Sequence, residues 1–475
     1  MLSRLLRKTI DLMTRQLSAF NKRRQQRLPL PDPGKWGVDV RDNHLALGNV
    51  LLADLAKQHG TPLMVFNRER LLDDAGSIKS ALEKKMSGSM VLYSYKTTPI
   101  PGVLEELHAA GLGAEVISPY ELWLACKLGV PGEKIVYNGV NKDSDSLVQA
   151  VQHGVLAINV DALEEVAALR QVVEQVGRKA NVGIRLAMNE NSQFGLSLKS
   201  GEAFEVAKLL ASDTKNFNFN CIHFNATSGA RNSQTHIRYV RKALDFMKAL
   251  QAETQTAVPY LDIGGGIGVP TSKQFSGLEF VFSRALQLLP IPPDTENFEE
   301  IESFVDNVGG QIEKRCQALQ MPVPKIIIEP GRFVTSRAGI LLTQIRSRKE
   351  RDKDVTFLIG EAGKLNLTLP MDFQYHEIFD VKRAHARRAK SFSIVGRVCT
   401  SADWTARMKL LPSDLRQGDI LAIMDAGAYF TAFSNSFAFP RPPVIMVDKE
   451  GAVKEIRRRE TFADMLGCDT MASLH

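Results

Sequence analysis

From residue 90 the chain repeats one pattern, and that pattern limits the folds open to it: a short apolar run, a turn, then an amphipathic helical stretch. The runs are VLYSY (91–95), AEVI (114–117), IVYN (135–138), VLAIN (155–159), VGIRL (182–186), CIHF (221–224), YLDI (260–263) and KIIIE (325–329). Between them lie stretches such as PYELWLACKLG, DALEEVAALRQVVEQVG and HIRYVRKALDFMKALQAE, with apolar residues at helical spacing. Short buried runs alternating with helices predict a parallel sheet covered on both faces. Eight such units over about 250 residues predict an α/β fold closed into a (β/α)8 barrel rather than an open sheet. The widest gap, before the eighth run, holds LLPIPPDTENF and a further helix, so an insertion is expected there.

Past about residue 345 the rhythm changes. VTFLIGEA, SFSIVGRVC, DILAIMDAGAY, PPVIMVD and AVKEIRRR are strand-like runs separated by Gly, Pro, Asp and charged turns, with little helix between them. They predict a separate C-terminal β-domain. Residues 38–66 are similarly mixed and are expected to contribute to that β-domain. The organisation read from sequence is therefore an arm over 1–37, a segment over 38–66, a barrel over 67–345 and a β-domain over 346–475.

Composition removes several classes. With 475 residues, 44% apolar and 24% charged, the chain is too hydrophobic for disorder and long enough for a large core. It contains no uninterrupted run of about 18 apolar residues, so no transmembrane helix is expected. The net charge of +7 is concentrated in residues 1–28, which hold eight Lys/Arg and the single acid Asp11; of totals of 60 and 53, 52 basic and 52 acidic residues remain and balance. The basic character belongs to the arm and gives no reason to expect a nucleic-acid-binding body. Five scattered cysteines without a CxxC suit a reducing compartment, so a cytoplasmic location is expected. In the arm, Leu2, Leu6, Ile10, Met13, Leu17 and Phe20 recur at helical spacing. Three readings stay open for it: a surface helix docked by that stripe, membrane-surface attachment, or an organelle transit peptide.

Residues at the C-terminal ends of barrel strands form the active-site face of such folds. Lys96 directly follows VLYSY, and a desolvated lysine amine there is a good Schiff-base nucleophile, although an exposed strand-end lysine is the commoner case. After the seventh run comes Gly264-Gly265-Gly266-Ile267-Gly268, whose backbone N–H groups are able to close around a phosphate. It lacks the spacing of a dinucleotide fingerprint and has no Walker lysine. After the eighth run comes Glu329-Pro330-Gly331-Arg332, a carboxylate suited to a pyridinium nitrogen beside a guanidinium suited to a phosphate or substrate carboxylate. A bare turn or an ion pair would explain each alone. Lysine, phosphate loop and carboxylate on one barrel face are together the three parts of a pyridoxal phosphate site.

The chain resembles the fold-type III pyridoxal-phosphate decarboxylases, the family of the ornithine, diaminopimelate and arginine enzymes, over about residues 60–470. The similarity is carried by YSYK (93–96), GLGAEVISPYEL (111–122), IHFNATSG (222–229), LDIGGG (261–266), IEPGR (328–332), GRVCTSADW (396–404), GDILAIMDAGAY (418–429), PRPP (440–443) and RRRETFADML (457–466). The RRRET ending is nearer the bacterial diaminopimelate branch. The resemblance implies an alanine racemase-like barrel with a β-domain, pyridoxal 5′-phosphate as cofactor, no metal, and decarboxylation of a small amino-acid substrate through a Lys96 Schiff base. It implies that Glu115 supports that lysine, that Ser228, Gly264, Gly265, Gly266, Gly331 and Arg332 bind phosphate, and that Glu329 meets the pyridine nitrogen. It also implies a homodimer with shared active sites, in which Cys399 is the acid that reprotonates the substrate carbon and Tyr429 contacts the cofactor.

Three positions depart from the family pattern. Asn225 stands where a histidine covers the cofactor ring, Thr400 stands where an acidic residue contacts the far end of the substrate, and Leu369 replaces an arginine before a proline. His376 falls roughly where the family reads that far end, so Arg332, His376 and Thr400 are the substrate-binding candidates. Two functions of different class follow: an active decarboxylase with an altered substrate, or a degenerate relative kept as a regulatory or binding protein. The joint presence of Lys96, the glycine run, the EPGR segment and Cys399 favours the enzyme. A racemase on the same barrel is a third reading, and its class lacks the RRRET-type ending.

Overall fold

The computed structural model describes residues 16–470 apart from 18, 286–287, 353–354 and 368–372. The chain forms two compact units. One comprises residues 72–269 and 296–334, and the other residues 1–71, 270–295 and 335–475.

The first unit is the barrel. Its eight strands are β1 (Met90–Ser94), β2 (Gly113–Val116), β3 (Ile135–Tyr137), β4 (Ala157–Val160), β5 (Ala180–Ala187), β6 (Phe217–His223), β7 (Tyr260–Asp262) and β8 (Lys325–Ile328). Every neighbouring pair is parallel, and the ring closes where Ile327 of β8 pairs with Met90 of β1. Leu92, Val136, Leu156, Ala157, Cys221 and Ile327 pack together as a buried apolar cluster. Their branched or compact side chains fill the interior of a small barrel, which is a packed core and not a pore. Each strand run is too short and too apolar to stand alone, and the helices between strands cover the outer face. The polar strand-end residues are thereby left to the C-terminal rim, where the site lies.

The second unit is mainly antiparallel β. The strand Leu63–Asn67 lies between Gly339–Asp352, to which it is antiparallel, and Val444–Val447, to which it is parallel. Trp36, Leu45, Leu52, Leu55, Val65, Leu342, Phe379 and Ile445 belong to one buried core, so N-terminal and C-terminal segments share a single hydrophobic cluster. Most of the arm's apolar stripe (Leu2, Leu6, Ile10, Met13) lies outside the described residues, as does Leu369. Within them, Leu17 and Phe20 are 50% and 67% exposed. The amides of Asn21 and Gln25 instead donate to the carbonyls of Leu289 and Pro290, so the docked side of this segment is polar. Among the described residues, no helix is long and apolar enough to cross a membrane.

Candidate active site

The strand ends converge on a line of hydrogen-bonded polar groups. Lys96 sits in the single turn Tyr95–Thr97 that follows β1, with its side chain 39% exposed and its Nζ 2.9 Å from Glu115 Oε2. Glu115, on β2, is fully buried, and it also accepts from the Ser94 hydroxyl and from Asn138 Nδ2 at 3.0 Å. Asn138 follows β3 and donates to Glu329 Oε1 at 2.7 Å. Its own carbonyl oxygen accepts from Asn159 at 2.8 Å. Glu329, just past β8, lies 3.6 Å from Nε2 of His223 at the end of β6. The line therefore runs from a half-open lysine to a buried carboxylate and imidazole across the rim.

Charge is distributed unevenly along it. Burial works against ionisation of Glu329, but the His223 imidazole and the Lys96 ammonium outweigh burial and hold its carboxyl well below the usual range. Asp262, at the end of β7, goes the other way: burial and then the Glu329 charge push it well above. The two shifts have opposite directions, Glu329 toward the charged form and Asp262 toward the neutral one. Behind Lys96, burial raises Glu121 to about 7. Around Glu329, the two ring nitrogens of His223, Asp262 Oδ2 and Asn159 Oδ1 are buried without a hydrogen-bond partner among the described residues.

The glycine run forms the next part of the rim. Gly264 and Gly266 have φ of 68° and 83°, left-handed conformations that only glycine adopts without strain. Space also excludes a side chain: a Cβ on Gly265 would stand 2.2 Å from the Glu329 carbonyl oxygen, and one on Gly266 2.0 Å from that of Thr227. The N–H of Gly264 donates to Asp262 Oδ1 at 2.9 Å. Those of Gly265 and Gly266 meet no protein acceptor among the described residues. Arg332, opening a short helix after β8, donates to the Ser228 hydroxyl at 3.3 Å. Gly331 packs so closely on Thr97 that a Cβ would stand 2.0 Å from its hydroxyl oxygen. Asn225 is exposed, with its amide 3.4 Å from the Thr227 carbonyl.

The barrel thus brings together Lys96, Glu115, Asn225, Ser228, Gly264, Gly265, Gly266, Glu329, Gly331 and Arg332. The other sequence candidates belong to the β-domain unit. There Cys399 is exposed, and Thr400 is exposed in a turn whose backbone is tied to Val398 and Asp403. Tyr429 has a φ of 69° and its ring lies 6.1 Å from that of Phe433. His376 is buried, with Nδ1 2.9 Å from the Met424 carbonyl and its ring against Phe430. Sequence reasoning passed over Asn138, Asn159, His223 and Asp262 as site residues. A signal was present: Asn138 and Asn159 end two of the apolar runs, and His223 and Asp262 are polar residues one position from the end of two others.

The chain is similar to known proteins in both sequence and fold. The family model for the pyridoxal-dependent decarboxylase, pyridoxal binding domain, matches residues 75–336. Diaminopimelate decarboxylase from Aquifex aeolicus is 28% identical over 444 residues, covering 90% of this chain and 95% of the relative. The enzyme of that name from Methanocaldococcus jannaschii is 28% identical over 455 residues, covering 92% and 97%. A crystal structure of diaminopimelate decarboxylase from M. jannaschii superposes with a TM-score of 0.82 at 26% identity, covering 93% of this chain and 99% of that one.

Proposed function

The chain belongs to the pyridoxal-dependent decarboxylase family and is a pyridoxal-phosphate-dependent amino-acid decarboxylase; from that premise we propose that the Lys96–Glu115–Asn138–Glu329 line and the glycine turn are its catalytic site. The residues fit the cofactor. The ionised Glu329 matches a protonated pyridine nitrogen, the N–H groups of Gly265 and Gly266, which meet no acceptor among the described residues, match a phosphate, and Lys96 matches an aldehyde carbon. Buried polar atoms left without partners around Glu329 further support a polar guest. When bound, pyridoxal phosphate supplies the electron sink into which the Cα–carboxylate bond of the amino acid breaks as carbon dioxide leaves.

The chain's own groups prepare that step. Glu115, fixed by Ser94 and Asn138, holds the Lys96 amine in place and is positioned to exchange a proton at Nζ. With the cofactor bound, the Glu329 carboxylate, held toward its charged form by His223 and Lys96, would keep a proton on the ring nitrogen. Arg332, Ser228 and Gly331 would close the phosphate end, and Asn225 would offer an amide to the ring face. A homodimer with shared sites would bring Cys399 of one copy, as the acid returning a proton to Cα, and Tyr429 to the barrel of the other. Thr400 and His376, with Arg332, are then the groups that meet the substrate. Thr400, replacing an acidic residue, supports a substrate whose far end differs from that of the diaminopimelate branch. Free cysteines at all five positions support a cytoplasmic location.

The observation that carries this reading is the ion pair of Lys96 with the buried Glu115 on the same rim as the glycine turn. Borohydride reduction of the purified protein, followed by peptide mapping, should place a pyridoxyl adduct on Lys96, and the Lys96→Ala protein should carry none. A screen of amino acids for carbon dioxide release, starting with diaminopimelate, then identifies the substrate. An adduct on another lysine would overturn the site assignment.

A further inference from the structure

The three carbonyls of the glycine turn are each tied down from behind. The Gly264 carbonyl accepts from the Glu329 N–H at 3.0 Å and the Gly266 carbonyl from the Ala230 N–H at 2.8 Å. The Gly265 carbonyl is bound by a side chain instead, lying 3.0 Å from Nε2 of His236. Peptide planes are rigid, so fixing each carbonyl also fixes the direction of the N–H on the next residue. The Gly265 carbonyl belongs to the peptide whose N–H is that of Gly266, one of the two donors without a protein acceptor among the described residues.

His236 is built for this single bond. It lies in the first turn of the helix Gln234–Thr254 and is almost fully buried, with its ring edge-on to Phe304 at a centroid distance of 5.0 Å. A carbonyl only accepts, so Nε2 carries the hydrogen and the buried, unpartnered Nδ1 carries the lone pair. Burial lowers the imidazole's pKa, which favours that neutral form. The start of the helix is pinned in turn. The Ser233 N–H and hydroxyl both donate to Glu299, and Asn307 Nδ2 donates to the same carboxylate at 2.6 Å. Two of the three anchors are backbone groups; His236 is the one that a substitution removes.

We propose that His236 is a positioning residue for the cofactor's phosphate, acting through the Gly265 carbonyl to aim the Gly266 N–H into the phosphate cradle. It touches neither substrate nor reacting atoms, and the inference rests on the reading of the glycine turn as that cradle. The test compares two ligands that differ only in the phosphate, pyridoxal 5′-phosphate and pyridoxal, titrated into the apo protein. His236→Phe keeps an aromatic ring against Phe304 and removes the donor, whereas His236→Gln keeps an N–H at similar reach. His236→Met serves as the donor-free variant if the larger ring does not fold.

One lost neutral hydrogen bond corresponds to roughly tenfold in affinity. The donor-free variant should therefore bind pyridoxal phosphate about tenfold more weakly and pyridoxal as before, with the glutamine variant restoring most of the difference. Equal weakening toward both ligands, or unchanged binding of the phosphorylated one, would overturn the inference. A wild-type protein that does not prefer the phosphorylated ligand would instead remove the cradle reading, and this role with it.

Discussion

Glu115 lies on β2 and Glu329 just past β8, yet both accept from the same amide nitrogen, Asn138 Nδ2, at 3.0 and 2.7 Å. The amide holds two buried carboxylates at a fixed separation while one faces the reactive lysine and the other faces the imidazole. Asn138→Ala takes a donor from both at once. Leaving a buried acceptor unsatisfied costs about 1–3 kcal/mol, or about 2–4 °C of Tm for each kcal/mol in a domain of roughly 150–250 residues. Asn138→Asp should be worse, because it replaces the shared donor with a third carboxylate. Calorimetry of the apo proteins in the order wild type, alanine, aspartate should show falling Tm, and an aspartate variant as stable as wild type would contradict the shared-donor account.

The glycine turn makes a sharper prediction. Gly266→Ala puts a Cβ 2.0 Å from the Thr227 carbonyl oxygen at a φ of 83°, so both space and backbone conformation oppose it. The turn has to open, which displaces the N–H groups that the phosphate would use. Gly277→Ala is the matched control, because its Cβ meets nothing within 4 Å. Equilibrium titration with pyridoxal phosphate should show a loss of at least about tenfold for the first, one hydrogen bond's worth or more, and none for the second.

Much of the barrel is legible from sequence because one periodicity dominates it. All eight apolar runs overlap the eight barrel strands, with ends displaced by a few residues at most. The β-domain is less so. The fourteen-residue strand Gly339–Asp352 ends in SRKERD, a charged run that reads as a solvated turn, yet its second half, from Ile345 to Asp352, pairs with Val355–Gly360. Trp404–Leu411 is similarly masked by Arg407 and Lys409. At the site, Lys96 and Glu329 stand out because a charged residue at the end of an apolar run is conspicuous, whereas Glu115, inside the run AEVI, is marked only by the family resemblance. Asn138 and Asn159 do not, since an asparagine at a strand end is also ordinary turn chemistry. Only the three-dimensional closure of the barrel shows that their amides face inward.

The β-domain contains a buried charge network that no sequence pattern signals. Glu377 is fully buried and accepts from Tyr375 at 2.7 Å, lies 2.9 Å from Lys409 Nζ and pairs with Arg388. Burial opposes its charge, but Arg388 and Lys409 outweigh this and hold its carboxyl down to about 2. Burial pushes Lys409 down to about 8. Glu377→Gln leaves two cations without their counter-charge and should cost about 3–5 kcal/mol. Lys409→Met should cost less, because Glu377 retains Arg388 and Tyr375. Denaturant unfolding of the two variants gives this order directly, and the reverse order would show that Lys409, not Glu377, is the centre of the network.

Glu121 gives the molecule a pH dependence near the site. It lies on the helix Pro119–Lys127, and its carboxyl accepts from the Ile117 N–H at 2.8 Å. Burial raises its pKa from 4.5 to about 7; the Glu115 charge adds to this, while the Ile117 bond and Lys96 pull it back. A carboxyl whose pKa is raised in the folded state binds its proton more tightly there than in the unfolded chain. Its contribution to stability is therefore complete below pH 4.5 and is lost as pH rises to about 7. At 1.36 kcal/mol for each pKa unit, the loss is on the order of 3 kcal/mol. Glu121→Gln keeps an oxygen for the Ile117 N–H and has nothing to titrate. The difference in unfolding free energy between variant and wild type should grow in favour of the variant as pH rises across that window and then stay level. A constant difference from pH 4 to pH 8 would place the Glu121 carboxyl in water rather than in the core.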